Sequence, residues 1–135
     1  MKGVSQESVE IVRRVIDAGN RRDRAELARL YSPEAEIDWS RSRGPLRGVY
    51  RGRAEIRRFS NEFYSAFEDV QTVAHDFTAI GSDVVVSNTA HLRGRDGIEV
   101  IARSTYVYTV ENGQITRLRM FQERAEALEA AGVRR

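Results

Sequence analysis

Apolar residues recur along this chain with two periods, helical in the first half and alternating in the second, and the change falls near Glu68-Asp69. Val9, Val12 and Ile16 form one helical stripe that Gly19-Asn20 stops, with Ser5 placed as the N-cap and Val4 with Val9 as a hydrophobic staple. Asp23 and Glu26 give an Asp-x-x-Glu capping pattern for a second, shorter helix, with Leu27, Leu30 and Tyr31 on its inner side and Pro33 at its end. Residues 35–39 read as a short strand, followed by an irregular loop around Gly44-Pro45 and Gly48. A third helix starts at Gly52, where Glu55 follows three residues later. Its Ile56, Phe59, Phe63 and Phe67 share one stripe that requires a large apolar partner.

From Val70 onward the reading is β. Turn clusters at Gly81-Ser82-Asp83 and Arg93-Gly94-Arg95-Asp96-Gly97, and an Asn112-Gly113 hairpin signal, divide it into strands over 70–80, 84–92, 98–110 and 114–122, joined as a meander. Strands of that length twist and coil, so the sheet should curl around the phenylalanine stripe. Residues 123–131 close as a short helix with Gly132 at its C′ position. The fold class that follows is α+β: N-terminal helices packed into a strongly curved, mainly antiparallel sheet, as one domain over 1–135.

Composition narrows the chemistry. The chain has no cysteine, which removes disulfides, thiolate metal ligands and cysteine nucleophiles. A net charge of +2 gives no global reason to expect nucleic acid. The distribution is less even: residues 41–58 carry Arg41, Arg43, Arg47, Arg51, Arg53, Arg57 and Arg58 against Glu55. That stretch is either a rim attracting an anionic ligand or a solvated loop and helix start. Met1 to Ser5 run straight into a charged helical pattern, and no window approaches the ~20 apolar residues of a membrane span. A cytoplasmic location without membrane contact is expected. No glycine-rich phosphate loop or serine-nucleophile motif is present, so no cofactor is expected. His75 and His91 fall on neighbouring strands, but without a carboxylate at ligand spacing they do not make a metal site.

The segments Ala35-Glu36-Ile37-Asp38-Trp39, Val49-Tyr50-Arg51-Gly52-Arg53-Ala54-Glu55-Ile56, Glu111-Asn112-Gly113-Gln114-Ile115 and Glu126-Ala127-Leu128-Glu129-Ala130-Ala131-Gly132, with the order of elements, resemble the SnoaL-like branch of the NTF2-like superfamily, which shares the ketosteroid-isomerase-like fold. The resemblance implies a cone-shaped sheet closed by helices over a pocket, usually in a homodimer. It leaves activity open, because isomerases, cyclases, epoxide hydrolases, dehydratases and non-catalytic binders share the fold. Ketosteroid-isomerase-like members carry a base at the end of the short strand; that position reads Trp39 here, with Asp38 one residue earlier and facing the other side by alternation. Their tyrosine donor and partner acid read Val15 and Thr105. Limonene-epoxide-hydrolase-like members use Arg-x-Asp and a further Asp; here Arg103-Ser104-Thr105 keeps only the arginine, and Met120 stands in the last position. Asp38 is thus the one catalytic candidate, and steroid isomerisation is not expected.

Placing the phenylalanine helix over the even-numbered side of 84–92 gives a mostly apolar pocket. Val86, Asn88, Ala90 and Leu92 line it from one strand, Ile101, Arg103, Thr105 and Val107 from the next, and Leu118, Met120 and Gln122 from the last, capped by Trp39, Phe59 and Phe63. Arg103 is the sharpest of these, since a buried arginine needs a partner: a ligand carboxylate or phosphate, or an internal acid such as Asp76 or Glu99. The other face then carries Val100, Ala102, Tyr106, Tyr108, Val110, Ile115 and Phe121 beside Arg117 and Arg119, a composition suited to a homodimer interface unless the last helix covers it. The expected function is binding of a hydrophobic or anionic small molecule in an enclosed pocket, with isomerase, cyclase or hydrolase chemistry open. The alternative is a non-catalytic association or ligand-carrier domain.

Overall fold

The structure, a computed structural model, describes residues 4–44 and 46–132, with side chains from residue 6 onward. The expected Ser5 cap and Val4 staple, and Pro45, lie outside the described residues and side chains. Helix α1 (Val4–Asn20) buries Ser8, Val12, Val15 and Ala18, a stripe at helical spacing. Helix α2 (Arg24–Leu30) opens as its sequence dictates, with Asp23 Oδ1 accepting from the Glu26 N–H at 3.1 Å. It ends two residues earlier than Pro33 suggests: Tyr31 is already extended and begins strand β1 (Tyr31–Asp38). Pro33 is tolerated there because the pairing of β1 is irregular between Tyr31 and Glu36, so the ladder loses no bond to it.

The loop after β1 contains a short strand that alternation does not reveal, β2 (Val49–Arg51), paired antiparallel to β1. Helix α3 (Gly52–Ala66) carries the phenylalanine stripe. Phe67 leaves that helix and opens β3 (Phe67–Ile80), followed by β4 (Asp83–Gly94), β5 (Glu99–Glu111) and β6 (Gln114–Phe121), then helix α4 (Arg124–Ala130). Asn112 and Gly113, at φ 52° and 76°, form the two-residue turn their sequence predicts.

The six strands form one curved, mostly antiparallel sheet in the order β2-β1-β6-β5-β4-β3, with β1 and β6 parallel. Bulges in β3 between Phe67 and Asp69 and between Ala74 and Asp76 add to its bend. Helices α1 to α3 pack on the inner face, over a core that includes Val12, Phe59, Val84, Val86, Tyr108 and Ile115. A smaller cluster on the outer face, Val85, Val107 and Phe121, is covered by Ala127 and Leu128 of α4. No helix of the described residues is long and apolar enough to cross a membrane.

Register corrects the assignment of faces on β5. The connection from Gly94 to Ile98 pairs Arg93 with Glu99, so even residues of β4 face even residues of β5: Val84 opposes Tyr108 and Val86 opposes Tyr106. A bulge then opposes Val110 to Ile115 but Thr109 to Arg117, leaving Thr116 unpaired and keeping Leu118 and Met120 inside. The inner residues of β5 are therefore Tyr106, Tyr108 and Val110. The aromatic residues on which the homodimer expectation rested are not on an exposed face: Tyr106 and Tyr108 point inward, and Phe121 lies beneath α4, whereas Val100 stays 47% exposed.

Candidate functional site

The inner face does not fill completely. Between the helices and the sheet lies a cavity of about 640 Å³, within the size range of small-molecule sites. The last turns of α1 supply Val15, Ile16 and Gly19, α2 supplies Ala25, Leu27 and Ala28, and α3 supplies Ile56, Phe59, Phe63 and Tyr64. The sheet contributes Tyr31, Ile37, Val70, Thr72, Ala90, Tyr106, Tyr108 and Leu118. Trp39, at the end of β1, ties helix to sheet: its ring lies 5.2 Å from Phe59, 6.3 Å from Phe63 and 5.5 Å from Tyr106, all edge-on. Edge-to-face contact is what ring quadrupoles favour, and it leaves flat apolar walls between the rings.

The charge around this space has one sign. Arg22, Arg24, Arg53 and Arg57 reach the cavity from solvent-exposed positions between α2 and α3, and among the described residues no aspartate or glutamate lines it. Arg22 lies 5.0 Å from the Tyr64 ring and donates to the Glu68 carbonyl at 3.3 Å. Arg53 reaches the Ala28 carbonyl at 3.5 Å. None of the four is ion-paired among the described residues, whereas Arg14, Arg29, Arg51, Arg117 and Arg119 each hold a carboxylate. Deeper in, burial pushes the Tyr106 phenol up to about 12, against a hydrogen bond with Ser104 that lowers it. Burial also raises Tyr31 and Tyr108 well above the ordinary tyrosine value, so these hydroxyls stay protonated at neutral pH.

The model of the SnoaL-like domain family matches residues 12–118, which runs from the middle of α1 into β6. The chain belongs to the SnoaL-like family. Solved structures agree on the fold. TerC, co-crystallised with polyporic acid, is 18% identical with a TM-score of 0.77, over 94% of this chain and 99% of that one. A candidate SnoaL-like polyketide cyclase from Jannaschia sp. is 18% identical with a TM-score of 0.77, over 100% and 98% of the two chains. A Mycobacterium tuberculosis protein in complex with estradiol-17β-hemisuccinate is 13% identical with a TM-score of 0.76, over 87% and 94%. No curated protein matches the chain.

In this SnoaL-like domain the residues expected at the site divide into three groups. Trp39, Phe59 and Phe63 line the cavity. Asn88 and Met120 lie on the inner face, 2% and 5% exposed, but are not among the cavity-lining residues. Asn88 Nδ2 donates to the Val86 carbonyl at 3.2 Å, and its Oδ1 has no hydrogen-bond partner. Arg103 and Thr105 are corrected to the outer face: Arg103 pairs with Thr89 and is exposed, and Thr105 is buried opposite Phe121. Gln122 lies beyond β6 and donates to the Arg41 carbonyl at 2.8 Å.

Asp38 faces away from the cavity, register-paired with Arg119, and accepts from the Ser40 N–H at 3.0 Å and the Ser40 hydroxyl, with Arg41 at 3.5 Å. Burial alone would raise its pKa. The Ser40 hydrogen bonds and the charges of Arg41 and Arg117 outweigh burial and hold it below the usual aspartate value. His75 Nε2 lies 2.7 Å from Thr89 Oγ1, and among the described residues no group of three potential metal ligands assembles.

The basic stretch also divides. Arg53 and Arg57 reach the cavity, while Arg41 stacks on Phe121 at 4.3 Å, Arg51 pairs with Glu36 at 2.8 Å, and Arg58 lies over Tyr50. Sequence reading missed Tyr31, Tyr64, Tyr106 and Tyr108 as cavity residues. The tyrosines of β5 share a face with Val84 and Val86, a signal that becomes readable only when the register is known.

Proposed function

We propose that this SnoaL-like domain binds a polycyclic, largely hydrophobic small molecule whose acidic group sits at the arginine-lined opening. The observation that carries the reading is the combination of an aromatic cavity of about 640 Å³ with four unpaired arginines and no carboxylate among its described lining residues. Apolar area supplies the affinity in such a site, and a few charged groups supply the orientation. An anionic ligand head relieves the mutual repulsion of Arg24, Arg53 and Arg57, and a cationic head adds to it. The ligands named for two of the fold neighbours, polyporic acid and estradiol-17β-hemisuccinate, are themselves acids on hydrophobic ring frameworks, which favours the same class here.

Base-catalysed isomerisation or cyclisation draws no support from the site: Asp38 lies on the other face of the sheet, held as a carboxylate by Ser40 and Arg41. Binding without turnover is the reading we adopt. A purely structural association domain would fill its interior with its own side chains, and this one leaves space. Trp39 is the only tryptophan and lines the cavity, so its fluorescence reports occupancy. Titrating anthracene-2-carboxylate and 2-(aminomethyl)anthracene into the protein should quench Trp39 with the carboxylate bound at least about tenfold more tightly. Equal affinity, or preference for the amine, would overturn the proposal.

A further inference from the structure

The cavity has its mouth on one side. The described lining residues that are themselves exposed all fall in two stretches, 22–28 and 53–61, so the way in runs between α2 and α3. The two helices rest on different neighbours: α2 on α1, β1 and β6, and α3 on β1, β2 and β3. Across the mouth, Arg53 Nη1 donates to the Ala28 carbonyl at 3.5 Å, beyond the usual hydrogen-bond range. Ala25 and Ala28 line its α2 side, and an alanine leaves open what a larger side chain would close.

Helix α2 is the weaker of the two walls. It has seven residues, of which Leu30 is the buried one, and a helix that short is held by its anchors rather than by itself. Its polar anchors are the Asp23 cap, the Glu26 carboxylate on Arg14 of α1 at 2.9 Å, and Gln114 of β6 donating to the Arg29 carbonyl at 3.2 Å. Both of its ends are joints. Before it, Arg22 stands in the left-handed region at φ 54°, and after it the register of β1 breaks between Tyr31 and Glu36. Helix α3, by contrast, runs for 15 residues and locks Phe59 against Trp39 and Tyr50.

We propose that α2 is the gate of the cavity: a ligand enters and leaves as α2 moves away from α3, and the Glu26–Arg14 pair sets how often the gate opens. This inference rests on the proposed binding function and adds the route and its control. Opening breaks the Arg53–Ala28 contact and one partly exposed ion pair, while Trp39 and the aromatic wall of α3 stay in place. Segments that bury little open at low cost. The rings go in first, and the acidic group follows into the arginines of the mouth. Substitutions in a binding contact act mostly on koff. A gate residue acts on the path instead, so it changes kon and koff together and leaves their ratio alone.

The test is stopped-flow Trp39 quenching by anthracene-2-carboxylate on the wild type, Glu26→Gln, Ala28→Leu and Glu36→Gln. Glu26→Gln releases the tether and should raise kon and koff together, about two- to fivefold for the loss of one such ion pair, with Kd unchanged. Ala28→Leu narrows the mouth and should lower both by about fivefold, again with Kd unchanged. Glu36 also holds two arginines, Arg51 and Arg117, but does not line the cavity, so Glu36→Gln should exchange ligand at the wild-type rates. Equal quenching amplitudes show that each variant is folded. If Glu26→Gln and Ala28→Leu change koff alone, or neither rate constant, α2 is a fixed wall and the gate is wrong while the binding reading stands. If Glu36→Gln speeds exchange as Glu26→Gln does, the effect is general loosening and the gate falls as well. If the wild type shows no quenching, the binding reading fails and takes the gate with it.

Discussion

Asp38 and Trp39 are neighbours in sequence with opposite fates, because alternation sends one to each face of the sheet. That separation was legible in the sequence, which nevertheless left Asp38 as the one catalytic candidate. What the sequence did not show is that Ser40 and Arg41, two and three residues on, supply the partners that keep Asp38 ionised on the outer face. A carboxylate whose native pKa is depressed adds stability above its unfolded value of about 4, and loses that contribution as pH falls through the native value. Asp38→Asn should therefore cost about 1–2 kcal/mol at neutral pH and progressively less in acid. It should leave the affinity for anthracene-2-carboxylate unchanged. Urea melts at pH 7 and pH 3 with a binding titration check this, and a loss of binding with unchanged stability would restore Asp38 to the site.

Helices α1 to α3 and the meander follow from periodicity, capping and turn chemistry, and their boundaries lie close to those the sequence predicts. The faces of β5 do not, and the reason is one residue. A two-residue Asn112-Gly113 turn by itself pairs odd positions of β5 with even positions of β6, which puts Tyr106 and Tyr108 outside. The bulge at Thr116 reverses that parity, and no alternation pattern announces a bulge. Its side chain takes local partners, the Glu111 carboxylate at 2.7 Å and the Thr109 carbonyl at 3.4 Å. Deleting Thr116 should force either Ile115 or Leu118 out of the core, at about 2–5 kcal/mol, whereas Thr116→Ala keeps the bulge. Thermal unfolding followed by circular dichroism should show a shift of only a few degrees for Thr116→Ala and loss of the cooperative transition for the deletion. A deletion variant that melts like the wild type would contradict the register.

At the scale of the whole molecule, the long strands of β3 to β5 curl around helices that do not fill the space, and that mismatch is the cavity. Its aromatic helix was readable from the spacing of Phe59 and Phe63, and the basic stretch already contained Arg53 and Arg57 of the rim. Arg22 and Arg24 come from the far side, across the α1–α2 junction, and only the packing of α2 and α3 on one face of the sheet brings the two pairs around one opening. The same packing directs the ligand, with apolar rings against Trp39 and Phe59 and charge toward solvent. The most direct measurement is a crystal structure of the protein with anthracene-2-carboxylate. The ring system should lie inside the cavity against Trp39, Phe59 and Tyr108, with its carboxylate within hydrogen-bond distance of Arg24, Arg53 or Arg57. A ligand bound on the outer sheet face near Arg103, or inside with its carboxylate turned toward the tyrosines and away from the arginines, would contradict the account.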